Sequence, residues 1–159
     1  MVNYAELADK ARARLDADKL AADRQKNLID ASQAFFEGLK EHLIEELDLV
    51  NVELRKRGVP EIRRNHLPGF LKEIFLTYGT DSLCRVGLES MGEQCRIMAV
   101  INGPPNGFEV SRKEYLFSQE ASSFREVLVI GEAGSPTGVA NPAEIAVDII
   151  SSVLLGKFQ

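Results

Sequence analysis

The residues that carry most recognisable chemistry are scarce in this chain. It has two histidines, two cysteines and no tryptophan. Cys84 and Cys95 lack the close pairing of a metal knuckle, which excludes a zinc ribbon and a multi-disulfide framework. Two such thiols suit a reducing cytoplasm. With His42 and His66 the only imidazoles, a Ser-His-Asp arrangement has little to draw on. No apolar run approaches the roughly 18–20 residues needed to span a bilayer. The start, Met1-Val2-Asn3-Tyr4, turns charged at once, so no secretory signal is expected.

Charge is unevenly spread over the 159 residues, whose formal net charge is −5. Acidic residues outnumber basic ones before Arg55 and again after His66. Between them lies a compact basic junction, Arg55, Lys56, Arg57, Arg63, Arg64 and His66. The acidic balance argues against a general nucleic-acid binder. The hydrophobic fraction of 45% is that of an ordinary globular protein. The length fits a single domain over 1–159, with a core that needs no staple.

Proline is missing from Tyr4 to Lys56, and Gly38 is the one glycine there. The spacing predicts one long helix over 1–57. Apolar or small residues step by threes and fours through Tyr4, Ala8, Ala11, Leu15, Ala22, Ile29, Ser32, Phe36, Leu39, Leu43, Leu47, Val50 and Leu54. Spacing near 3.5 is the coiled-coil pattern, although the step from Leu43 to Leu47 to Val50 breaks a strict heptad. The stripe is stronger from Ile29 onward. Asp18 and Gln25 interrupt it earlier. The expectation is that the second half packs on the chain's own sheet while the first half projects. Gly58 and Pro60 end the helix.

Residues 67–78 fit a helix period, whereas Ile74 to Tyr78 reads as a strand before Gly79; a strand from about Lys72 to Tyr78 is the reading adopted. Ser82–Ser90 and Gln94–Asn102 alternate as a hairpin. A two-residue Gly92-Glu93 turn pairs Cys84 with Ile101, Val86 with Ala99, Leu88 with Ile97 and Ser90 with Cys95 on one face. The other face sets Glu89 against Arg96. Cys84 and Cys95 then sit at opposite ends of the hairpin, beyond disulfide reach, as core residues. Two more strands follow, over Phe108–Phe117 and Phe124–Gly131. A phase change in the first suggests a bulge near Arg112-Lys113. Gly131 to Ala140 reads as loop. Asn141-Pro142-Ala143-Glu144 starts a helix with an N-cap, Pro at the first position and Glu at the third, and Gly156 ends it.

The order is therefore α+β: a long N-terminal helix, an antiparallel meander of four to five strands over 70–132, and a C-terminal helix over 141–156 packed on the sheet. His42 and its glutamates make no repeated Glu-x-x-His motif, so no metal is expected. Gly131–Gly138 lacks the Gly-Lys-Ser/Thr ending of a phosphate loop, so no cofactor is expected.

No catalytic signature emerges, and an enzyme is not the favoured reading. The expected function is a cytoplasmic interaction or adaptor protein, which self-associates or docks a partner through the long helix at Ile29, Phe36 and Leu43. A second copy or another protein is the expected partner, with no membrane, and nucleic acid is disfavoured. One alternative is a small-ligand or enzyme pocket between sheet and C-terminal helix, lined by Arg112, Tyr115 and Phe117. Another is anion or nucleic-acid binding through Arg55, Lys56, Arg57, Arg63, Arg64 and His66.

Overall fold

The computed structural model of the protein describes residues 1–65, 72–79, 82–91, 94–103, 107–117, 126–131 and 134–159. Helix α1 (Tyr4–Lys56) runs unbroken for 53 residues. Asn3 caps its start, its Oδ1 accepting the Glu6 amide at 3.3 Å. Its end is a Schellman closure: the Val59 amide donates to the Leu54 carbonyl and the Gly58 amide to that of Arg55. Gly58 supplies the required left-handed backbone, with φ of 66°.

Asn51 then turns the chain back along the helix. Its side chain donates to the Ile62 carbonyl at 3.0 Å and accepts the Ile62 amide at 2.8 Å. Seven strands follow in a simple antiparallel meander: β1 (Arg63–Asn65), β2 (Glu73–Tyr78), β3 (Ser82–Met91), β4 (Gln94–Gly103), β5 (Phe108–Leu116), β6 (Val127–Ile130) and β7 (Pro136–Ala140). Helix α2 (Pro142–Leu155) closes the chain. The class is α+β, as expected.

The β3–β4 register is the one that the alternation specifies. Cys84 faces Ile101, Val86 faces Ala99, Leu88 faces Ile97, Ser90 faces Cys95 and Glu89 faces Arg96. The Gly92-Glu93 turn itself lies outside the described residues, as do 67–71 and Phe124.

Three details differ from expectation. The sheet has seven strands, because short β1 and β7 extend it at both edges. Residues 136–140, read as loop, pair with β6. An edge strand is bonded on one side only, so it tolerates Pro136 and Gly138 where a central strand would not. The β5 irregularity is also displaced. Ser111 pairs with Ile101 and Glu109 with Asn102, which leaves Val110 as the extra residue rather than Arg112 or Lys113.

Both helices lie over one face of the sheet. Leu28, Phe35, Phe36, Leu39, Leu43 and Leu47 of α1 meet Ile145, Ile149 and Val153 of α2 above Leu76, Cys84, Val86, Ile97, Ala99 and Ile101. Phe35 stands edge-on to Phe117, with centroids 5.1 Å apart. Burying each such side chain contributes about 1.5–3 kcal/mol. A polar latch ties α2 to the sheet: Asp148 accepts from the Tyr115 hydroxyl and from Lys113 Nζ, both at 2.7 Å.

Candidate functional site

Helix α1 divides into an exposed part and a part that the core covers. Every residue from Met1 to Asn27 is exposed, and Leu28 is the first that the core covers. The free stretch, 4–27, is roughly 36 Å long at 1.5 Å per residue. Nothing in the rest of the described chain packs on it. Its helicity rests on the Asn3 cap, on alanines, and on pairs such as Lys10 with Glu6 at 2.6 Å. Large apolar side chains still line it. Tyr4 is 78% exposed, Leu7 50%, Leu15 68% and Leu20 53%.

The stripe on this half keeps heptad phase with the buried half. Ala8, Leu15, Ala22, Ile29, Phe36 and Leu43 occupy one repeating position. Among the three residues expected to meet a partner, Phe36 and Leu43 are buried in the chain's own core, and Ile29 is half-buried against it. The cover of these residues is internal to the chain. The surface left open is Tyr4 to Ala22, which includes Leu7 and Leu20 outside the expected stripe.

The basic junction does not converge. Arg55 pairs with Glu61 at 2.5 Å, Lys56 with Glu53 at 2.9 Å and Arg57 with Glu53 at 2.7 Å. Hydrogen bonds from Arg57 and then Lys56 hold the Glu53 carboxyl below the usual carboxylate range. These pairs sit at the C-terminal turn of α1, where cations also complement the helix dipole. Arg63 and Arg64 lie on edge strand β1, exposed, with no acidic partner among the described residues. Successive strand residues point to opposite faces, so the two do not form one site. His66 lies outside the described residues.

Other chemistry is structural in character. Cys84 and Cys95 are free and buried, and burial pushes the Cys84 thiol up to about 12. His42 faces Glu45 at 3.8 Å on the helix surface. No group of three or more His, Cys, Asp and Glu gathers among the described residues. Tyr115 and Phe117 belong to the core, while Arg112 stands exposed on the helix-free face beside Glu109, so these three line no common pocket. The groove near α2 lies at that helix's C-terminal end, has a volume of about 350 Å³, and is bounded by Tyr78, Ser82, Gly103, Val110 and residues 153–156. None of these side chains is charged. No helix among the described residues is long and apolar enough to cross a membrane.

Compared with family models, with curated proteins and with solved structures, the chain finds no match.

Proposed function

We propose that this protein is a cytoplasmic interaction or adaptor protein whose projecting helix, residues 4–27, is its docking element, with a second copy as the first partner. One observation carries this reading: a wholly exposed helix of more than six turns keeps Leu15, with Ala8 and Ala22, in phase with its buried half, and exposes Tyr4, Leu7 and Leu20 beside it. A solvated helix gains nothing from Leu15 at 68% exposure. Covering such a side chain contributes about 1.5–3 kcal/mol, which favours association. The groove beside α2 offers two hydroxyls and no charged group among its described lining residues, so it supports a reaction poorly.

Light scattering on the full chain tests the reading. The expected result is a mass above 17.6 kDa at micromolar concentration, returning to 17.6 kDa in Leu15→Lys. A parent chain that stays at 17.6 kDa over a wide concentration range refutes self-association.

A further inference from the structure

We infer that α1 is one helix but two cooperative units that meet at Leu28: residues 28–56 open only with the whole domain, whereas residues 4–27 wind and unwind on their own. This deepens, and rests on, the reading of residues 4–27 as the docking element, because it makes docking the step that completes the helix.

The two halves are held by different forces. Leu28, Phe35, Phe36, Leu39, Leu43 and Leu47 are buried, so unwinding any of their turns strips apolar surface from the core. From Tyr4 to Asn27 every residue is exposed, and unwinding there uncovers nothing. The ties within that stretch are local. Asn3 caps the Glu6 amide, Lys10 meets Glu6 at 2.6 Å and Arg14 reaches Asp18 at 4.0 Å, with side chains 59–85% exposed. Pairs of this kind on a helix surface are weak.

A helix usually has to form a costly first turn before it can grow. Here the core-held half supplies that turn. Each further residue then adds toward the N-terminus with an equilibrium constant near one. Seven alanines in 4–27 favour winding, while Asp9, Asp16, Asp18, Asp23 and Asn27 oppose it. Asn27 sits at the junction itself, where a side chain that competes for backbone hydrogen bonds weakens the turn next to Leu28. The stretch is therefore helical as a graded population that frays from Asn3 inward and stops at Leu28. A partner that covers Leu15 fixes the turns around it. The ordering is then drawn from binding and not from the core, so docking is gained and lost while the domain stays folded.

Hydrogen exchange and urea unfolding of the full chain test the division. Leu15→Lys, expected to be monomeric, isolates the free chain. Its amides from Ala8 to Asn27 are expected to be protected no more than about a hundred-fold, rising toward Leu28, against about a thousand-fold or more over the buried turns. Two exposed alanines, substituted in that variant, then separate the units. Ala34→Gly, in the core-held half, is expected to weaken the folding equilibrium about five-fold and to lower the urea midpoint read by near-ultraviolet circular dichroism. Ala17→Gly is expected to leave that midpoint in place and to cost only the amides of 18–27 about five-fold in protection. In the parent, a concentration at which the mass doubles is expected to raise protection over 8–27 about ten-fold or more. Equal midpoint shifts from the two alanine variants overturn the two units. So does monomer protection over 8–27 that matches the buried turns. A dimer by mass with no added protection over 8–27 overturns the coupling of docking to helix completion. A parent monomeric at every concentration overturns self-association and with it that coupling, while the two units still stand or fall by the alanine pair.

Discussion

Removing the Asp148 carboxylate tests how α2 is held to the sheet. Asp148 accepts from the Tyr115 hydroxyl and from Lys113 Nζ, both at 2.7 Å. Tyr115 is only 1% exposed, so in the fold its hydroxyl has Asp148 rather than water as its partner. Burial, and then the bond to Asp148, already push its phenol well above the usual tyrosine range. In Asp148→Ala the orphaned hydroxyl costs about 1–3 kcal/mol. Lys113, with its side chain 19% exposed, loses its partner but can turn toward solvent, adding about 1 kcal/mol or less. The sum is about 1–4 kcal/mol. Tyr115→Phe leaves the Asp148–Lys113 pair intact and should cost only about 0.5–1.5 kcal/mol. The informative variant removes all three partners. Lys113→Met/Tyr115→Phe/Asp148→Leu leaves nothing orphaned and should lie within about 1 kcal/mol of the parent. Urea unfolding with linear extrapolation measures each value, with the slope m unchanged across the set. A loss below about 0.5 kcal/mol in Asp148→Ala, or a triple variant weaker than that single one, refutes the reasoning.

Three further outcomes follow from local geometry. Asn141 Oδ1 accepts the Glu144 amide at 2.9 Å and its Nδ2 donates to the Glu144 carboxylate at 3.0 Å, so Asn141→Ala should cost about 1 kcal/mol and Asn141→Ser far less, by urea midpoint. Gly38 lies inside α1, and a Cβ there meets nothing within 4 Å, so Gly38→Ala should stabilise by about 0.5–1 kcal/mol, read as a raised urea midpoint. The Cys84 thiol is raised in the fold from an ordinary value of 9.0 to about 12, so its contribution is fully present below pH 9 and lost as pH climbs toward 12. Stability at pH 10 should fall about 1.4 kcal/mol below that at pH 8 on this account, and Cys84→Ala should remove that part of the slope.

What could be read from the sequence depended on run length and on sidedness. The β3–β4 hairpin was legible because two ten-residue strands alternate and Glu89 meets Arg96 across them, so a one-residue slip would ruin both faces. Strand β1 has three exposed residues, and no period can be read from so few. Strand β7 carries Pro136 and Gly138, loop residues by composition, and only its pairing with β6 reveals it. The end of α1 and the cap of α2 were legible because Gly58, Asn141 and Gly156 are the residues that such termini require. At the candidate surface, apolar spacing showed which residues of α1 want cover but could not say whose atoms supply it. Phe36 and Leu43 find that cover within the chain, and Leu28 and Phe35 join them because a helix against both a sheet and a second helix buries a wider face than a coiled-coil seam does. The latch of Lys113, Tyr115 and Asp148 left no trace in spacing, since it joins residues more than thirty positions apart.

The phase of the stripe is the argument that joins fold to function. From Ile29 to Leu43 the heptad positions are fixed by the chain's own core, where a misplaced residue would lose burial. Beyond Leu43 the step to Leu47 adds a fourth residue, and the stripe follows the 3.6 period of a straight helix while Leu47, Val50 and Leu54 still pack on the core. Below Leu28 no core is present to impose any period. A helix in water can place its alanines and leucines on any side, because each faces the same solvent. Yet Ala22, Leu15 and Ala8 hold the same position that Ile29 and Phe36 hold above them. The physical cause that keeps a 3.5 repeat in register is a second surface wrapped against it. Residues 4–27 keep one position of that repeat, with Asp18 and Gln25 interrupting the other, and no surface among the described residues covers them, which supports the proposal that a partner does.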